Sequence, residues 1–480
     1  MGSSVALVDS SERPRGDVPT PSRGVRRIVR RAPLWTVPVL VGAVVRVVYW
    51  AAVSPDWVSR SDARQYVDLA RSIAAGDGFA AAFPGGELHP TAFRPPLYPT
   101  LLAVPTKVFG SEALWPGRLL AIVIGLGVIA LTVTYARRIA GDRAGLVAGL
   151  AVALVPSLVA NDSVTMTESL GLLLVLGILV ALLDDRWARA GALCGLLLLT
   201  RPNAYLGAGV VVVVLWRSIG WRRAAAALGL CVLVVAPWVV RNAVVVGTPR
   251  LVTSDGFTLS AMYGPPALAT GTFIDPTGDE WYERHGVREL EGDEARWNDR
   301  LVGIALDGMR SNPGAVLTHM ADGAATMLEL PGHRAHEAEF VDGRNPRFRD
   351  ATLFVFPILV VAGLLGTGLR LRDRRTWPAL AVVAQFVVLS AVTVSVPRLR
   401  GPFDLLMCIE AGYLAAWLHE RALAARAAEP AADRAGRAGR ATDGPDLPPS
   451  TDRPPSTDRR PSPGRPLDVA TVSPRGREQQ

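Results

Sequence analysis

Lysine is all but missing from this chain. Of 51 basic residues only Lys107 is a lysine. Cysteine is scarce too: Cys194, Cys231 and Cys408 are the three there are, each inside an apolar run. That supports neither a disulfide framework nor a thiolate metal site. Charge is thin, at 20% of 480 residues with half the chain hydrophobic, against roughly 25% charged in a soluble domain. An ordinary cytosolic enzyme is therefore disfavoured. There is no P-loop, and no Gly-x-Gly-x-x-Gly follows a strand, so those nucleotide-binding signatures are absent. The formal net charge of +8 would signal nucleic acid only if its basic residues shared one folded face.

What is present is a series of apolar runs. The first, 32–53, follows a basic cluster of Arg23, Arg26, Arg27, Arg30 and Arg31. It exceeds the roughly 7–15 residues of a signal-peptide core and matches the ~20 a spanning helix needs. Further runs at about 113–135, 144–160, 169–183, 188–200, 203–216, 224–240, 351–369, 377–396 and 403–418 bring the expected transmembrane helices to about ten. The pair flanking Thr200-Arg201-Pro202-Asn203 is short and reads as two crossings or one broken passage. Two crossings keep the basic turns at 137–143, 217–223 and 370–375 all cytoplasmic, as the positive-inside rule prefers. Both termini are then cytoplasmic.

The expected architecture is an α-helical polytopic membrane protein: a disordered basic tail over 1–31, a membrane domain over 32–420, and a disordered Pro/Arg-rich tail over 421–480. Two long segments face outward: 54–96, and an extracytoplasmic domain at 241–350 carrying 11 Arg against 17 acids. The basic excess thus lies on the inner side, where it orients the spans, and no nucleic-acid partner is read.

In the first outer segment, Tyr66, Leu69, Ala70, Ile73 and Ala74 recur at helical spacing, with Ser61 or Asp62 as N-cap and Gly76 as stop. An amphipathic helix on the outer membrane surface is expected. By spacing alone, Asp62 is a helix cap or a carboxylate held at the membrane face for chemistry. Downstream stand Phe93-Arg94-Pro95-Pro96-Leu97-Tyr98-Pro99, Thr200-Arg201-Pro202-Asn203, Pro237-Trp238-Val239-Val240-Arg241-Asn242 and Val396-Pro397-Arg398-Leu399-Arg400-Gly401-Pro402. In this order the motifs resemble the membrane-embedded GT-C glycosyltransferases, the family that includes protein O-mannosyltransferases and aminoarabinose transferases, over about 32–420.

The resemblance implies a GT-C-like fold and transfer of a hexosyl or pentosyl group from a polyprenyl-phosphate donor to an envelope lipid, polysaccharide or protein at the outer face of the plasma membrane. It implies that Asp62 is the active-site carboxylate. A base at Asp62 would make the displacement inverting. Departing phosphate calls for guanidinium forks, expected from Arg398, Arg400 and Arg201, although Leu399 and Gly401 depart from the Arg-Tyr-x-x-Pro pattern. Asp162 and Glu168, in an outer turn, are further candidates or helix caps. Arg94 and Tyr98 belong to the matching motif, and Pro95-Pro96 would set a rigid start to the next helix. Arg46, inside the first span, is functional or reaches for the interface. Some relatives use a divalent cation, so that cofactor stays open. Glu87, His89, His285 and His319 are scattered, and His333-x-x-His336-Glu337 has nearly a ligand spacing that reads more simply as solvated. The competing reading is a transporter or flippase, which expects inverted repeats and midplane charges; neither is evident in the sequence.

Overall fold

The computed structural model describes residues 33–54, 62–83, 86–110, 114–330, 339–394 and 396–442, with backbone alone beyond 426. The two tails, the cap candidate Ser61 and the His333/His336/Glu337 group lie wholly or largely outside the described residues. The chain divides into a unit ending at Arg421 and a second from Ala422, whose described part is helical backbone to Thr442.

Among the described residues each apolar run of the sequence is mostly helical. Helix α1 (Thr36–Ala52) precedes α2 (Asp62–Ala75), a two-residue hairpin of β1 (Ala80–Ala81) with β2 (His89–Pro90), and α3 (Leu97–Phe109). The runs at 113–135 and 144–160 fall largely in one element, α4 (Trp115–Leu154), broken at Gly141. Gly141 sits at φ 85°, a left-handed conformation that a side chain would strain, so the two arms kink there. Then follow α5 (Pro156–Asn161), α6 (Glu168–Leu183), α7 (Trp187–Leu198), α8 (Tyr205–Ile219) and α9 (Trp221–Val245). The segment after α9 contributes α10 (Asp255–Tyr263), α11 (Pro265–Thr270), α12 (Glu280–Arg284), α13 (Glu294–Ser311) and α14 (Pro313–Met327). Last come α15 (Pro346–Thr352), α16 (Val355–Arg370), α17 (Trp377–Val392) and α18 (Gly401–Thr442).

Among the described residues three helices are long and apolar enough to cross a membrane, or four if the bent pair α15–α16 is one span; α1, α6, α7 and α17 are shorter apolar helices. Apolar side chains point outward along them: Val37, Leu40, Val44 and Val48 on α1, and Val232, Leu233, Val240 and Val244 on α9 are exposed. Close helix packing is obtained with small residues. Gly191 and Gly195 of α7 face the α9 backbone at Ala227 and Cys231, where a Cβ would collide.

The segments 62–96 and 241–330 share a core. Phe93 and Phe83 of the first loop pack with Tyr282, Trp297, Leu301 and Ile304. Glu294 of α13 accepts from the Ala92 amide at 3.0 Å and from the Thr253 hydroxyl, and Arg241 at the end of α9 donates to the Thr91 and Phe79 carbonyls at 2.5 and 2.9 Å. The sequence suggested that α2 lies with its apolar face on the membrane surface; in the structure that face packs against protein. Its apolar face is buried, with Tyr66 edge-on to Tyr98 of α3 at 5.4 Å between ring centroids. The amphipathic pattern records burial against a neighbouring helix, which a membrane surface would produce equally well.

Candidate active site

Asp62 opens α2 and is held between two guanidinia. Arg94 Nη2 donates to its Oδ1 at 2.5 Å, and Arg398 Nη2 to its Oδ2 at 2.6 Å. Arg94 arrives from the loop before α3, where Pro95-Pro96 bars a helix until Leu97, and its Nε is fixed by Gln65 Oε1 at 2.6 Å. Arg398 arrives from the 3-10 turn Pro397–Arg400 that precedes α18. Its Nε lies 3.1 Å from Asp342 Oδ2 and 3.7 Å from Glu168 Oε1, and its Nη1 abuts the Met166 sulfur. Glu168 is also 3.6 Å from Arg201 Nη1. Three guanidinia therefore interleave with three carboxylates contributed by the start of α2, the loop before α3, the start of α6, the break after α7, the segment before α15 and the 3-10 turn before α18.

The charges are tuned by this company. Burial works to raise the Asp62 carboxyl, but the Arg94 and Arg398 guanidinia outweigh it and hold it well below the usual carboxylate range. Asp342 is the opposite case: burial dominates over the Arg398 charge, and the nearby Asp62 adds to the rise, pushing it up to about 7. Asp62 keeps 29% of its side chain open to solvent, whereas Arg398 and Asp342 keep 9% and 7%. The carboxylate is accessible to an incoming group, and the cations behind it are not solvated.

Residues 93–240 match the family described as dolichyl-phosphate-mannose-protein mannosyltransferase. The matched segment is under a third of the chain. It contains Arg94, Tyr98, Asp162, Glu168 and Arg201, while Asp62, Asp342 and Arg398 lie on either side. No curated protein sequence matches the chain significantly. Solved structures similar to it include apo ArnT from Cupriavidus metallidurans, at 18% identity over 78% of this chain and 76% of that one, with a TM-score of 0.38. The apo oligosaccharyltransferase of Archaeoglobus fulgidus aligns at 12% identity over 83% of this chain and 52% of that one, with a TM-score of 0.45. This chain thus spans about half the length of the archaeal protein.

The residues singled out in the sequence fall into three places. Asp62, Arg94, Arg201, Arg398 and Glu168 form the cluster, with Tyr98 buried beneath Tyr66, its hydroxyl without a hydrogen-bond partner. Arg400 does not join them. One turn of 3-10 helix sends its side chain to the other side, where it pairs with Glu329 at 2.6 Å and Asp404 at 3.1 Å and lies over the Phe356 ring. Asp162 and Arg46 also leave the cluster and bind each other at 2.6 Å, both buried, with Ser169 donating to Asp162 and Arg46 donating to the Ala153 carbonyl at 3.2 Å. Arg46 thus faces the protein interior, where its buried charge is offset by the paired Asp162 carboxylate. Among the described residues no group of three or more His, Cys, Asp or Glu is arranged to hold a metal. Glu87 offers its carbonyl to the His89 ring, and His285 stacks on Trp281.

Gln65 and Asp342 are absent from the sequence-derived set. Gln65 stood in plain view one turn after Asp62 in an i, i+3 position. Asp342 stands in Phe340-Val341-Asp342-Gly343, where nothing in spacing separates it from a surface turn.

Proposed function

We propose that the chain is a multi-pass membrane glycosyltransferase that moves a sugar from a polyprenyl-phosphate carrier to a hydroxyl of an envelope glycan, lipid or protein at the outer face of the plasma membrane. The observation that carries this reading is Asp62 clasped by Arg94 and Arg398. In the proposed step the bond from the anomeric carbon to the phosphate oxygen breaks, its electron pair leaves with the phosphate, and the acceptor oxygen bonds to that carbon from the opposite face. The acceptor's proton passes to Asp62. The configuration inverts.

The ion pairs prepare both halves of this exchange. Two guanidinia keep Asp62 ionised and so able to accept a hydroxyl hydrogen bond. The same guanidinia, poorly solvated and already oriented, receive the negative charge that develops on the phosphate. A donor phosphate entering beside Arg398 takes over fork contacts that Asp62 holds without it, which frees the carboxylate as the reactants come together. Arg201, tied to Glu168, is a second cation within the cluster.

The test is transfer of radiolabelled sugar from polyprenyl-phosphate donors by the purified chain in liposomes. Asp62→Asn should lower turnover by about 10²–10⁴-fold, the usual contribution of a positioned base, with folded protein recovered in normal yield. Turnover equal to that of the unaltered chain would sink the assignment.

A further inference from the structure

Asp342 has no part in the transfer step above, yet its carboxylate lies in ion-pair range of the Nε edge of the guanidinium on which that step depends, with no hydrogen bond formed to that Nε among the described residues. It lies 3.1 Å from Arg398 Nε and is 5% exposed. Its position is enforced: three residues on, Asn345 donates to the Val53 carbonyl at 2.9 Å, and Arg344 donates to Asn161 at 3.1 Å. The groups that face it are Arg398 from the last outer turn, Asp62 from α2, Glu168 from the start of α6, and Arg344 from its own segment. Arg344 is engaged with Glu339 at 3.0 Å, which leaves Arg398 as the cation in direct contact with Asp342 among the described residues.

With every group ionised, Arg94, Arg201 and Arg398 are cancelled by Asp62, Glu168 and Asp342. A neutral cluster offers an arriving phosphate no net attraction, and a phosphate placed on Arg398 would sit against the Asp342 carboxylate. One of the two negative charges must go. Asp62 cannot supply the relief, because its ionised form is the one the reaction uses.

We propose that Asp342 is a proton-linked competitor for the donor phosphate: ionised, it occupies Arg398, and on taking up a proton it releases that guanidinium to the donor. This deepens the reading of the cluster as a phosphate site and rests on it. The position of Asp342 near neutrality, at about 7, makes the exchange relevant under ordinary conditions. A phosphate on Arg398 adds a like charge and raises Asp342 further, so binding draws in a proton. The sign follows: donor affinity is highest where Asp342 is already protonated, below neutrality, and falls as pH rises.

The experiment measures binding of a polyprenyl phosphodiester to the full chain in lipid nanodiscs by calorimetry. The diester keeps a single negative charge from about pH 5.5 to 8.5, so any titration seen belongs to the protein. The unaltered chain should lose close to tenfold in affinity per unit above pH 7 and take up close to one proton on binding at pH 8. Asp342→Asn should bind tightly with no such slope. An equal slope in Asp342→Asn, or absence of proton uptake by the unaltered chain, which needs no variant to fold, would overturn the proposal. Arg398→Ala separates the two layers. If it abolishes binding while Asp342→Asn leaves the pH profile unchanged, the phosphate site stands and the competitor fails. If Arg398→Ala binds as the unaltered chain does, the phosphate site itself fails and the competitor with it.

Discussion

Asp62 is a carboxylate whose chemistry is written by its neighbours. The Arg94 charge is the largest single attraction that offsets its burial, with the Arg398 charge next. Removing Arg94 should therefore let the carboxyl climb towards and past the ordinary value near 4. In the unaltered enzyme the acid limb of kcat/KM should lie below pH 4, because Asp62 stays ionised there; in Arg94→Gln the limb should move up by at least one unit. A pH–rate profile of the two proteins decides it, and coincident limbs would mean that Asp62 does not govern the free-enzyme titration. Arg398→Lys keeps a charge but loses the fork that reaches Asp62 and Asp342 together. Its donor KM should rise about tenfold, the equivalent of ~1.4 kcal/mol, with a smaller change in acceptor KM.

At the scale of the element, the deciding piece is the 3-10 turn Pro397–Arg400. Its 3.0-residue period turns Arg398 and Arg400 to different neighbours: one to Asp62 and Asp342, the other to Glu329 and Asp404. Arg400 also donates to the Met327 carbonyl at 3.0 Å, which ties the turn to the end of α14. Arg400→Met would leave buried Asp404 with the Ser157 hydroxyl and Glu329 with Arg349 in place of a shared guanidinium, a loss of about 3 kcal/mol. Thermal unfolding in detergent should show it, while Glu329→Gln should cost less because the amide can still accept a hydrogen bond from Arg400. From the sequence, Arg398 and Arg400 are equivalent, two outer-face arginines flanking Leu399. Local turn geometry separates them, and no residue pattern near 397–400 announces which side of the turn meets α2.

Across the whole molecule, charge distribution and apolar runs make a topological statement. A reporter fused after residue 420 should be active only in its cytoplasmic form, and one inserted at Gly278 only in its exported form. The reverse pattern would invert the proposed arrangement and move Asp62 to the inner face. The sequence by itself determined the helical runs, because apolar stretches near 20 residues have few alternatives, and it determined the chemically able residues, because ionisable side chains beside such stretches are too costly to be idle. Only the tertiary structure decided their pairing. Arg46 met Asp162 across 116 positions and Arg398 met Asp62 across 336, while Asp342 joined the site from a turn without a motif. Salt-bridge partners are chosen by where helices and loops pack in space, and a charge carries no mark in the sequence of the opposite charge it will face.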